Sequence, residues 1–90
     1  MPSDFQCDIR SLVSRYGKMY VMDTIGCLIL AQYEISFGNV NQPAMGTEGY
    51  YFYLDVMRVC SKYSELDRGL LVGGIEFVKG EMMDKLREMP

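Results

Sequence analysis

Ninety residues suffice for one small domain (1–90) with a single core, and 49% hydrophobic with 23% charged residues is the balance of a folding globular chain, not a disordered one. Nine Lys and Arg against twelve Asp and Glu leave a net charge of −3 and a pI near 4.8, so no broad positive field exists to hold a nucleic-acid duplex. The absence of histidine removes the usual general base near neutral pH, the partner of Ser and Cys nucleophiles, and the commonest transition-metal ligand.

Ser3 and Gln6 have the form of a capping box, and Phe5, Ile9, Leu12, Val13 and Tyr16 follow at helical spacing until Gly17. The spacing predicts a first amphipathic helix over about 4–16. Asp23 or Thr24 can cap a second helix over about 24–37 that carries Ile25, Leu28, Ile29, Tyr33 and Phe37 and stops at Gly38-Asn39. Its apolar run, 25–31, is far below the roughly 18 residues that span a bilayer, so no membrane span is expected. Strict alternation from Ile29 to Phe37 also fits a strand, and the runner-up fold is therefore α+β with a hairpin near 28–58.

Turn formers gather over 39–46, including Pro43 and Gly46, and Thr47 then opens a third helix over about 48–64 with Glu48 at the positive end of its dipole. Its aromatic residues suit a strand, but Glu48, Tyr51, Asp55, Arg58, Lys62 and Glu65 recur at alternating spacings of three and four, which only a helix gathers into one polar stripe. A fourth helix over about 66–88 is read from Leu71, Ile75, Val78, Met82, Leu86 and Met89. Gly69, Gly73 and Gly80 share a stripe on it, where small residues let another helix approach; the competing reading makes Gly73-Gly74 a hairpin turn. The expected fold is a compact all-α bundle of four helices.

Few constellations carry chemistry. Ser14 and Lys18 are an i,i+4 pair interrupted by Gly17, Glu81, Asp84 and Glu88 share a face interspersed with Lys85 and Arg87, and the glycines of the last helix lack the Lys-Ser/Thr of a phosphate loop. No catalytic residue, metal or cofactor is expected, and the odd, scattered Cys7, Cys27 and Cys60 read as reduced thiols. Met1-Pro-Ser-Asp has no basic region followed by an apolar stretch, so the expected location is cytoplasmic. Arg15, Tyr16, Lys18 and Tyr20 join two cations to two rings around a glycine and form the candidate ligand segment, suited to stacking a base and neutralising phosphate. Tyr51, Asp55, Arg58 and Lys62 form the candidate partner-binding patch. The expected function is non-enzymatic: stoichiometric binding of a protein partner as an adaptor or inhibitor, small mobile-element inhibitors being one such type. Binding or sequestering a nucleotide is the alternative, and the small core makes a homo-oligomer the expected assembly.

Overall fold

The computed structural model describes residues 4–88, which form four α-helices and, among these residues, no strand: α1 (Asp4–Arg15), α2 (Val21–Phe37), α3 (Glu48–Lys62) and α4 (Arg68–Glu88). The all-α bundle holds, and the hairpin reading of 28–58 is overturned because α2 and α3 occupy those residues. Ser3 and Met89, which entered the capping and stripe arguments, lie outside the described residues. No helix among the described residues is long and apolar enough to cross a membrane.

Short loops lead one to expect consecutive helices side by side. Instead α1 and α2 each pack on both α3 and α4, while the consecutive pairs α1–α2 and α3–α4 touch only marginally. The molecule measures 40 × 35 × 20 Å, and its short dimension is two helices thick at about 10 Å each. Phe5, Ile9 and Leu12 of α1, Leu28 and Ala31 of α2, Phe52 and Val56 of α3, and Ile75 and Val78 of α4 meet in one core.

The fourth helix buries Leu71, Ile75, Val78 and Met82, the stripe read from the sequence. It starts at Arg68, two residues later than expected, because the Asp67 carboxylate accepts from the Leu70 N–H at 2.8 Å and supplies the helix entry. The close helix approach falls on a different glycine from those expected. A methyl at Gly74 would stand 2.7 Å from Cδ2 of Phe5, whereas Gly73 and Gly80 face open space and Gly69 meets only Asp67. Gly74 thus seats α1 on α4, and Gly73-Gly74 lies within a helix.

The second helix departs furthest from expectation. It begins at Val21, after an extended Tyr20 with no side-chain cap, so neither Asp23 nor Thr24 caps it. Thr24 sits a full turn inside, its hydroxyl donating to the Tyr20 carbonyl at 3.2 Å. Thr24, Ile25, Cys27, Leu28, Ala31 and Gln32 are buried, while Tyr33 and Phe37, expected inside, stand 51% and 76% exposed. Gln32 sets this rotation: its Nε2 donates to the Val72 carbonyl at 3.2 Å and to Glu76 at 3.1 Å, and its Oε1 accepts from Lys79 Nζ at 3.4 Å. A buried amide so fully partnered outweighs the outward tilt of two rings.

At the end of α2 and the start of α3 the sequence reading holds. Gly38 adopts the left-handed conformation (φ 73°) with its N–H on the Glu34 carbonyl, closing α2, and the Thr47 hydroxyl caps α3 by accepting from the Tyr50 N–H at 3.1 Å.

Candidate functional site

The ligand segment 15–20 straddles a bend. Helix α1 ends at Arg15, the Met19 N–H closes a turn on the Tyr16 carbonyl, and the two halves of the segment leave in different directions. Arg15 and Tyr16 join α3; Lys18 and Tyr20 line a groove beside α2. The four residues expected to act together are therefore two pairs on two surfaces.

Tyr16 is tied down. Its ring meets Phe52 edge to face at 5.2 Å, and its hydroxyl donates to Asp55 Oδ2 at 2.6 Å. The bond to the carboxylate, with burial added, pushes its phenol up to about 12. Arg58 holds the other oxygen, Oδ1, at 3.0 Å. A matching tie lies nearer the start of α1, where the Tyr63 hydroxyl donates to Asp8 Oδ2 at 2.7 Å and its phenol is likewise raised to about 12, first by that bond. Asp8 and Asp55, on helices running in opposite senses, each accept a tyrosine hydroxyl from the other side, and the pair of bonds fixes α1 against α3. The ring and the hydroxyl of Tyr16 are thus both engaged by α3, away from the groove that Lys18 and Tyr20 line.

Between these ties α1 and α3 enclose a hollow of about 220 Å³, lined by Asp8, Arg15, Asp55, Arg58 and Lys62 among others. The α3 stripe is outward as expected, with Tyr51 53% exposed and the Arg58 side chain 75% exposed, but Asp55 is turned partly inward by Tyr16. Arg15 comes from the segment assigned to a ligand and now completes a group of three cations with Arg58 and Lys62. Among the described residues, Arg15 and Lys62 enter no ion pair. The sequence signal for this grouping was the helical phase of Asp8, Leu12 and Arg15, which places Arg15 beside the buried edge of α1.

The groove beside α2 is larger, about 670 Å³, with Lys18, Tyr20, Met22, Asp23 and Gly26 on one side and Pro43, Glu48 and Gly49 on the other. Its floor is the Cys27 thiol, whose Sγ donates to the Gly49 carbonyl at 3.5 Å. A methyl at Gly49 would meet Cys27 Sγ at 3.4 Å, an ordinary contact, so this approach of α2 and α3 does not itself require glycine. No family model, no curated protein and no solved structure matches this chain. The two surfaces therefore stand on their chemistry.

The remaining candidates disperse. Ser14 lies by a hollow against α4 with Glu81 and Met82, while Lys18 is in the α2 groove, so the two do not form a dyad. Glu81 is taken by Arg10 at 2.8 Å and Asp84 by Arg87 at 3.2 Å. Cys7, Cys27 and Cys60 are free thiols; burial raises Cys27 and lifts Cys60 to about 11, which keeps both protonated and unreactive near neutral pH.

Proposed function

We propose that this protein is a non-enzymatic binder that acts by stoichiometric association with a protein partner, as an adaptor or inhibitor, through the face shared by α1 and α3. The observation that carries the reading is the convergence of Arg15, Arg58 and Lys62 around one hollow, with the exposed Tyr51 one helical turn beyond Asp55 on the same stripe. On a chain of net charge −3 this is a local reversal of sign, and Arg with Tyr is the composition of interface hot spots. The backing is rigid: the Tyr16–Asp55 and Tyr63–Asp8 bonds hold the two helices that carry the cations. A complementary partner presents an acidic surface. The raised, buried thiols of Cys27 and Cys60 and the lack of histidine support a role without catalysis.

The test is quantitative capture and crosslinking of a partner from cells expressing the protein, with the captured partner then purified and titrated by calorimetry. The unmodified chain should bind it at a fixed ratio, and Arg15→Ala with Arg58→Ala should weaken binding about tenfold or more while helicity is unchanged. Equal affinity for the variant would refute this face.

The α2 groove favours the second reading, a small-ligand binder for a nucleotide. Its volume lies in the range of small-molecule sites, about 300–1,000 Å³, and Lys18 and Tyr20 both line it. Asp23 and Glu48 on the same walls oppose a phosphate, which places this reading second. A melting shift with one nucleotide of a panel, abolished by Lys18→Ala, would reverse the order.

A further inference from the structure

The cations Arg15, Arg58 and Lys62 line the hollow between α1 and α3 together with Ser11. Among the described residues the side chains of Ser11, Arg15 and Lys62 enter no hydrogen bond or ion pair. Arg58 gives Asp55 one nitrogen, Nη1 at 3.0 Å, and a guanidinium has further N–H groups to offer. The Tyr16 phenol, raised first by its bond to Asp55, is drawn back by the charges of both Arg15 and Arg58, so the two guanidinium groups lie near one hydroxyl. Asp8 and Asp55 share the hollow. Asp55 holds Tyr16 and Arg58 with its two oxygens and Asp8 holds Tyr63, so neither is the partner of Arg15 or Lys62, and three cations stand against two carboxylates.

We propose that this hollow receives a phosphorylated side chain of the protein partner, a phosphate monoester whose oxygens are held by Arg15, Arg58, Lys62 and the Ser11 hydroxyl. The proposal rests on the partner-binding reading above and names the group that the partner presents. Charge and donor number select phosphate over carboxylate. A phosphate monoester carries about −1.5 to −2 at pH 7 with three strong acceptor oxygens, which matches two unpaired cations beside a third and a hydroxyl. A carboxylate brings one charge and two oxygens and would leave a cation unmatched. Size points the same way: at about 220 Å³ the hollow is smaller than the about 300–1,000 Å³ of small-molecule sites, room for a phosphate and not for a whole nucleotide. The rest of the ligand then lies outside, where the exposed Tyr51 stands one helical turn beyond Asp55 on the same stripe. A chain of net charge −3 repels a nucleic acid or an anionic bilayer everywhere but at this spot, whereas a single phosphate on a protein meets only the local charge. The Tyr16–Asp55 and Tyr63–Asp8 bonds already hold α1 on α3, so binding orders little that is not ordered beforehand.

Phosphoserine and phosphotyrosine, each blocked as the N-acetyl amide and titrated into isotopically labelled protein at constant ionic strength, should give saturable NMR shifts centred on Ser11, Arg15, Arg58 and Lys62 for at least one of the two. Acetate should bind about tenfold or more weakly. Arg15→Gln and Lys62→Gln, at exposed side chains outside any ion pair, should each weaken binding of the phosphoamino acid about tenfold or more with helicity unchanged. Ser11→Asp sets a carboxylate in the hollow and should abolish the saturable shifts. Phosphatase treatment of the partner captured from cells should cost about tenfold or more in affinity, and Arg15→Gln should shrink the difference between treated and untreated partner. No saturable shift with either probe, equal affinity for acetate, shifts spread over cations outside the hollow such as Arg68 and Lys85, or Gln variants that bind as well as the unmodified chain overturn the proposal. Binding confined to vesicles containing phosphatidic acid overturns it in favour of a membrane phosphate. A captured partner indifferent to phosphatase overturns it and leaves the partner-binding reading in place, whereas capture of no partner defeats that reading and the protein source of the phosphate together.

Discussion

Gly73 and Gly74 are neighbours in the middle of α4, yet alanine should act on them with opposite sign. At Gly73 a methyl meets nothing within 4 Å, so the substitution removes only the helix penalty of glycine and should stabilise by about 0.5–1 kcal/mol. At Gly74 the same gain is set against the ring of Phe5, whose Cδ2 and Cε2 would lie 2.7 and 2.8 Å from the new carbon. Carbon contacts are optimal at about 3.5–4.0 Å, so the ring must retreat by roughly 0.8 Å or more. It has little room to do so. Phe5 is 1% exposed and meets Tyr63 edge to face at 5.4 Å, and Tyr63 is itself held by Asp8. Overpacking of this kind costs about 1–3 kcal/mol, and because the helix term cancels between the variants, their difference measures the packing term alone. Urea unfolding with unchanged slope should resolve it, and thermal melts should separate the two by about 4–8 °C per kcal/mol. If Gly74→Ala stabilises as much as Gly73→Ala, Phe5 does not pack against α4 as described, and the α1–α4 contact is misassigned.

Ile75→Ala, at a side chain with no exposure, should destabilise by about 2–5 kcal/mol in the same unfolding assay, while Tyr33→Ala on the outer face of α2 should change the protomer's stability by about half a kcal/mol or less; equal effects would reverse the assignment of faces. Tyr16→Phe deletes a bond to a carboxylate and should cost roughly 1.5 kcal/mol at neutral pH. Because the folded phenols of Tyr16 and Tyr63 are raised from 10.0 to about 12, their contribution is whole below about pH 10 and is lost as pH rises towards 12. Stability measured through that window should fall more steeply for the unmodified protein than for Tyr16→Phe with Tyr63→Phe, and parallel curves would contradict the two ties.

Where one face of a helix is polar and the other apolar, the residues alone settled both the helix and its orientation. The Glu48-to-Lys62 stripe of α3 and the Leu71-to-Met82 stripe of α4 were legible because a wrong rotation of either would bury charge. The same contrast defeated a strand over 49–60 in spite of its aromatic residues. Helix α2 offered no such contrast. With apolar residues around nearly its whole circumference, many rotations bury similar area, and one buried amide, Gln32, selected among them through Val72, Glu76 and Lys79, forty to forty-seven residues away. The candidate sites divide in the same way. Composition placed cations and rings in 15–20 but was silent on which would point together, because that depended on where α1 stops and on Asp55, a hydrogen-bond partner thirty-nine residues from Tyr16. Periodicity carries information about one helix and its own two faces. The partners that turn a tyrosine into a strut, bring Arg15 to Arg58 and leave Lys18 beside an open groove come from other helices, and only their packing supplied them.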